Sequence, residues 1–125
     1  MYYLLKTEPS EYSFDDLKRE KKTLWEGVTA PAAVKFLREM KKGDQLVIYH
    51  TGSERRTVGT ATVLKVTVED PKKPEVTIAA GTALKRSLTL EELKKIKEFK
   101  DSPLVKQGRL SVVPLTEAQW KLLLD

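Results

Sequence analysis

From Val58 to Val68 the even positions Val58, Leu64, Val66 and Val68 are apolar, with Thr60 and Thr62 between them. This period-2 pattern describes one strand long enough to curl around a barrel. Shorter elements surround it. Tyr2–Lys6 reads as a strand rich in aromatic and apolar residues, broken by Glu8-Pro9-Ser10. Ser13 is an N-cap for a short helix with Asp15 and Asp16 in its first turn, ending near Lys22. Trp25-Glu26-Gly27-Val28 is a loop or brief strand, and Pro31 suits the first turn of a second helix. There Ala33, Phe36, Leu37 and Met40 fall at i, i+3, i+4 and i+7, one buried face. Gln45–His50 is a strand and residues 51–56 a polar loop. Glu75–Ile78 is a further strand, with an open question over its continuation through Gly81.

Thr89-Leu90-Glu91-Glu92 is a capping box for a helix that Ser102-Pro103 ends. Leu110–Val113 is the last strand, and Thr116 caps a final helix with Trp120, Leu123 and Leu124 inward, Trp120 as core. This order lacks a regular β-α-β-α rhythm, so the expected class is α+β. At 125 residues the chain fits one domain, 1–125, with no repeat or linker.

Composition removes several functions. Without cysteine there are no disulfides or thiolate metal sites, and with His50 as the one histidine no histidine-paired metal site forms. No metal and no cofactor is therefore expected, and neither a Walker motif nor a GxGxxG turn is present. A Ser-His-Asp triad finds no GxSxG elbow to support it. No run of about 18 apolar residues points to a membrane, and the start lacks a signal-peptide core. An intracellular monomer is expected, cytoplasmic in a prokaryote and nuclear in a eukaryote. The net charge of +5 suits a polyanionic partner, although many lysines sit among glutamates, as on an ordinary solvated face.

Three segments ask for more than packing. Lys6-Thr7-Glu8-Pro9-Ser10-Glu11-Tyr12-Ser13 clusters donors and acceptors between a strand and a helix. Trp25-Glu26-Gly27-Val28 sets a large aromatic beside a glycine, and Tyr49-His50-Thr51 ends an apolar strand. Aromatic faces with fixed polar groups are what reads an unstacked base. Taken singly, each has a plainer role: Trp25 as a core anchor, Tyr49 as a strand residue, His50 as a cap or surface residue, Lys6 as a solvated strand end.

Leu4-Leu5-Lys6-Thr7-Glu8-Pro9-Ser10-Glu11-Tyr12-Ser13-Phe14-Asp15-Asp16-Leu17 resembles the opening signature of the EVE domain family. So do Trp25–Val28, Phe36–Asp44 and Tyr49–Thr51, and Gly108–Trp120 resembles the family's closing strand and helix. The blocks run in family order from residue 2 to residue 124, with a looser middle from Glu69 to Lys100. The resemblance implies a PUA-like fold, a curled, mostly antiparallel β-barrel of five or six strands with flanking helices. It also implies a non-enzymatic module binding nucleic acid, DNA or RNA, through a pocket for one modified base. YTH-type readers of methylated RNA are among the relatives. Carried over by motif, Trp25 is a stacking wall, with Lys6, Thr7, Ser10 and Tyr12 on one side. Tyr49, His50 and Thr51 form the other, and Arg109 and Ser111 the rim. Arg55 and Arg56 are candidates for phosphate contacts.

One departure bears on the ligand. Where the family continues with an Arg-Asn pair and a Gln-Ala-Arg-Asn-like helix start, this chain has Thr29-Ala30-Pro31-Ala32-Ala33-Val34. Small and apolar groups thus replace a guanidinium and amides. Two alternatives stand beside the reader: a small enzyme or metabolite binder with His50 as acid–base group, and an RNA-binding face without base selection.

Overall fold

The computed structural model describes residues 1–125. Six strands form one sheet: β1 (Tyr2–Thr7), β2 (Lys22–Trp25), β3 (Gln45–His50), β4 (Arg56–Thr67), β5 (Glu75–Ala83) and β6 (Val112–Leu115), in the order β2-β5-β4-β3-β1-β6. Neighbours run antiparallel except β1 and β3, which pair in parallel from Tyr2 opposite Gln45 to Thr7 opposite His50. The sheet therefore ends on β2 and β6, which do not pair with each other. Register shifts at Ile48/Tyr49, Gly59/Ala61 and Val63/Lys65 bend it, as bulges do by adding local twist. The fold is α+β, with a curled, mostly antiparallel sheet and helices packed around it.

The long strand is present, but its apolar positions are not its inner face. Thr57, Gly59, Ala61 and Val63 point inward, while Leu64 and Val68 are 38% and 44% exposed. The reason is space. Helix α1 (Phe14–Glu20) lays Phe14 against Gly59, where a Cβ would overlap the ring. Val58 and Val66 are half-buried and pack against the core from their own positions.

Helix α2 (Pro31–Glu39) buries Ala33 and Leu37, with Met40 at its C-cap, as the stripe predicts. Phe36 stays half-buried beside Tyr3, their rings 6.5 Å apart. Capping boxes form at Ser13/Asp16, Thr89/Glu92 and Thr116/Gln119. The Thr89 helix is only α3 (Leu90–Lys94), followed by a 3-10 turn at Lys97–Phe99. Ser102-Pro103, expected to end a helix, instead starts α4 (Pro103–Lys106), with the Ser102 hydroxyl accepting from the Leu104 N–H at 3.1 Å. Proline at a first turn obeys the same rule as Pro31.

The closing strand lies two residues later than expected, over Val112–Leu115. In α5 (Glu117–Leu124) Leu123 is buried, but Leu124 is 38% exposed. Trp120 is not sealed in the core either. It lies half-buried, stacked on Tyr2 with centroids 5.1 Å apart. No helix is long and apolar enough to cross a membrane.

Candidate functional site

The end of β1 and the turn after it build one bank of a cavity. Backbone bonds from the Glu11 and Tyr12 N–H groups to the Glu8 carbonyl, both 2.9 Å, close the turn. The Thr7 hydroxyl donates to the Tyr12 carbonyl at 2.6 Å, and Ser13 then opens α1. Strand β2 supplies the opposite bank with Thr23, Leu24 and Trp25, continued by Glu26-Gly27-Val28; Ser111, just before β6, adds a third edge. The cavity, about 410 Å3, thus sits where the two ends of the sheet approach without pairing. Its volume falls within the roughly 300–1,000 Å3 of small-ligand sites.

Aromatic and charged groups meet inside it. Tyr12 meets Trp25 edge-on, with centroids 6.1 Å apart and planes at 81°. The Tyr12 hydroxyl donates to Glu20 at 2.7 Å. Burial, and secondarily that carboxylate, raise the phenol's pKa. Lys6 also lines the cavity. Its Nζ donates to the Gly108 carbonyl at 2.9 Å and lies 5.7 Å from the Tyr49 ring centroid. Burial lowers the Lys6 pKa, and no carboxylate forms an ion pair with it. Two of its three N–H donors remain for a ligand. Glu8 is committed locally: bonds from the Ser10 N–H and hydroxyl, and then from Thr51, hold its pKa below the usual carboxylate range.

Lys6, Thr7, Tyr12, Trp25 and Ser111 are therefore brought together around one space. Ser10 and Thr51 are partners of Glu8 outside the lining, and Arg109 is exposed beside Gly108, also outside it. Tyr49, only 3% exposed, is packed under Lys6. His50 is a strut, 7% exposed. Its Nε2 accepts from the Phe14 N–H at 3.0 Å and its Nδ1 lies 2.9 Å from a Glu54 carboxylate oxygen. Because Nε2 accepts, Nδ1 carries the proton of the neutral ring and donates to Glu54. With both nitrogens engaged and no place in the lining, His50 lacks the geometry of an acid–base group. His50→Leu is expected to strand the buried Phe14 N–H and to cost about 1–3 kcal/mol in urea unfolding. An unchanged midpoint would remove this role.

Trp25 is itself only 8% exposed and belongs to the core cluster, yet its ring borders two spaces. The second, about 470 Å3, lies across the Trp25–Val28 segment, between Leu37 and the loop that carries Asp70, Lys73 and Pro74. Glu20, Thr23 and Leu24 line the first cavity but escaped sequence reasoning, because Lys21-Lys22 read as the end of a helix. The available signal was the β-branched and aromatic run Thr23-Leu24-Trp25.

The EVE domain family model matches residues 1–125. The chain belongs to the EVE domain family. This EVE domain is 28% identical over 163 residues to mouse thymocyte nuclear protein 1, covering 99% of this chain and 72% of that protein. Among solved structures it is similar to a protein of Rhodopseudomonas palustris, with a TM-score of 0.89 at 32% identity, covering 98% of this chain and 89% of that one. It is equally similar in shape to human THYN1, solved in complex with DNA containing 5-methylcytosine. There the TM-score is 0.89 at 26% identity, covering 98% of this chain and 95% of that one.

Proposed function

We propose that this EVE domain binds nucleic acid and holds a single modified base in the cavity between Lys6 and Trp25, as a binding module and not as an enzyme. The observation that carries this reading is the pairing of an aromatic corner, Tyr12 against Trp25, with an ammonium that has donors to spare. An aromatic face offers stacking, worth about 1–3 kcal/mol per base. Charged donors and acceptors at fixed places discriminate base edges. The complex of human THYN1 with DNA containing 5-methylcytosine supports a base of that class. The missing guanidinium and amides at Thr29–Val34 leave Lys6 as the cation at the cavity wall, so much of the polar recognition falls to it.

Fluorescence titration with otherwise identical DNA and RNA oligonucleotides, carrying cytosine or 5-methylcytosine at one position, tests the reading. Trp120→Phe removes the second indole, so the signal reports Trp25. Tighter binding of the modified oligonucleotide is expected. A charge-assisted hydrogen bond contributes about 1.5–3 kcal/mol, so Lys6→Met should weaken that binding roughly tenfold or more. Equal affinity for both bases, or no effect of Lys6→Met, would sink the proposal.

A further inference from the structure

Arg55 and Arg56 close the loop after β3, and Lys85 and Arg86 lie between β5 and α3. All four are exposed, and none takes part in an ion pair of this protein. They are far apart in sequence but held on one frame. The Arg56 Nε–H donates to the Ser87 hydroxyl at 2.7 Å, and that hydroxyl donates to the Thr57 carbonyl. Thr57 and Leu88 exchange N–H···O bonds, with the Thr57 N–H on the Leu88 carbonyl at 2.9 Å and the Leu88 N–H on Thr57 Oγ1 at 3.0 Å. The Leu90 N–H meets the Arg55 carbonyl at 2.8 Å, and Arg56 bridges Thr89. Arg55 sits at φ 42° within this frame, a conformation costly for a residue with a side chain.

The carboxylates nearby are already engaged. Glu54 accepts from His50, and Glu92 caps α3 by accepting from the Thr89 N–H at 3.1 Å while the charges of Arg56 and Arg86 reach it. Like charges held together repel, and an anion laid across them relieves the repulsion. The frame also connects to the cavity. Lys6 stands opposite Tyr49 in the β1–β3 register, its ammonium approaches the Tyr49 ring, and the Arg55 charge reaches the Tyr49 phenol. The base cavity itself also carries Glu8, Glu11, Glu20 and Glu26. Past Trp25 the second space is lined by Glu69, Asp70 and Glu75 with Lys73, beside Arg38, whose guanidinium donates to the Pro71 carbonyl at 2.7 Å. The four cations of the frame pair with no carboxylate.

We propose that a strand with one base in the cavity runs its sugar–phosphate backbone across Arg55, Arg56, Lys85 and Arg86, and leaves the cavity on that side alone. This rests on the base-binding reading above, and adds Lys85 and Arg86 as backbone contacts and a single direction of exit. The test uses the double variant K85Q/R86Q, which leaves the Arg56–Ser87 bond in place. A control, K41Q/K42Q, removes the same charge just before β3, at the opposite end of that strand from the loop carrying Arg55. Affinity for the modified oligonucleotide is measured against salt concentration. K85Q/R86Q should lower the magnitude of the log–log salt slope by roughly 1 to 2 and weaken binding about tenfold near 0.1 M salt. The preference for the modified base should stay unchanged, and K41Q/K42Q should leave the slope alone.

Two further oligonucleotides extend the strand only 5′ or only 3′ of the modified base. One should bind as tightly as the two-sided strand, and the other far more weakly. A slope unaltered in K85Q/R86Q, equal loss in the control, or equal binding of both one-sided strands overturns the track while base preference stands. Loss of slope with no base preference would overturn the pocket reading and leave the track. Absence of nucleic-acid binding would overturn both.

Discussion

Truncating Trp25 to alanine is expected to lower the unfolding free energy by about 3–5 kcal/mol, the range for a large aromatic removed from a core. By its motif this side chain is expected in a ligand wall, from which its loss would spare the fold. The 8% exposure of the ring and its membership of the core cluster make it both. Alanine therefore confounds the two roles, and Trp25→Leu separates them. Leucine keeps apolar volume beside Tyr12 but has no face for a base. Binding of a modified oligonucleotide should then fall by the stacking contribution, about 1–3 kcal/mol or roughly fivefold to more than a hundredfold, in a variant that remains folded. Calorimetry for stability and titration for affinity, on both variants, give the result. Undiminished binding by a folded Trp25→Leu protein would return the indole to packing alone.

Gly59→Val should be the most damaging change on β4. The glycine faces the Phe14 ring, and any Cβ there would overlap it. Phe14 is 4% exposed and begins α1, whose N-terminus is tied to His50 through its own N–H. Relief requires α1 to shift. Overpacking of this kind costs about 1–3 kcal/mol and occasionally more, and a branched side chain on a buried strand face belongs at the upper end. Because the displaced helix follows directly from the Glu8–Tyr12 turn, ligand affinity should drop with stability. Pairing Gly59→Val with Phe14→Ala should recover part of the loss, as expected for residues that share one space. A fully additive pair in denaturant titrations would contradict the contact.

These two residues also mark what local sequence chemistry can and cannot reveal. Caps at Ser13, Thr89 and Thr116, proline at the start of α2 and the apolar run of β3 depend on near neighbours, and all form as read. The Lys22–Leu24 part of β2 is not legible because its partner in β5 lies some fifty residues away, and because Lys21, at φ 71°, ends α1 abruptly. The face of β4 was misleading for a similar reason. At Gly59 the inner position is small because Phe14, from a helix elsewhere in the chain, occupies the space, which no alternation within the strand discloses. At the site, the motif resemblance singled out Lys6, Thr7, Tyr12, Trp25 and Ser111, which line one cavity. Tyr49 and His50 carry the same chemistry but spend it on packing and on the Phe14 N–H, a distinction visible only in three dimensions. Lys85 and Arg86 fall in the looser middle of the chain, where no motif drew notice.

The unpaired ends of the sheet carry one more implication. Because no ladder spans the interval between β2 and β6, Val28 and Ser111, which lie outside the strands, face this space without belonging to a rung. Trp25 ties this cavity to the core, but at these partly exposed positions the lining can vary at little cost to the scaffold. Thr29–Val34, where this chain leaves its family's pattern, begins one residue beyond Val28, at the rim of that same interval.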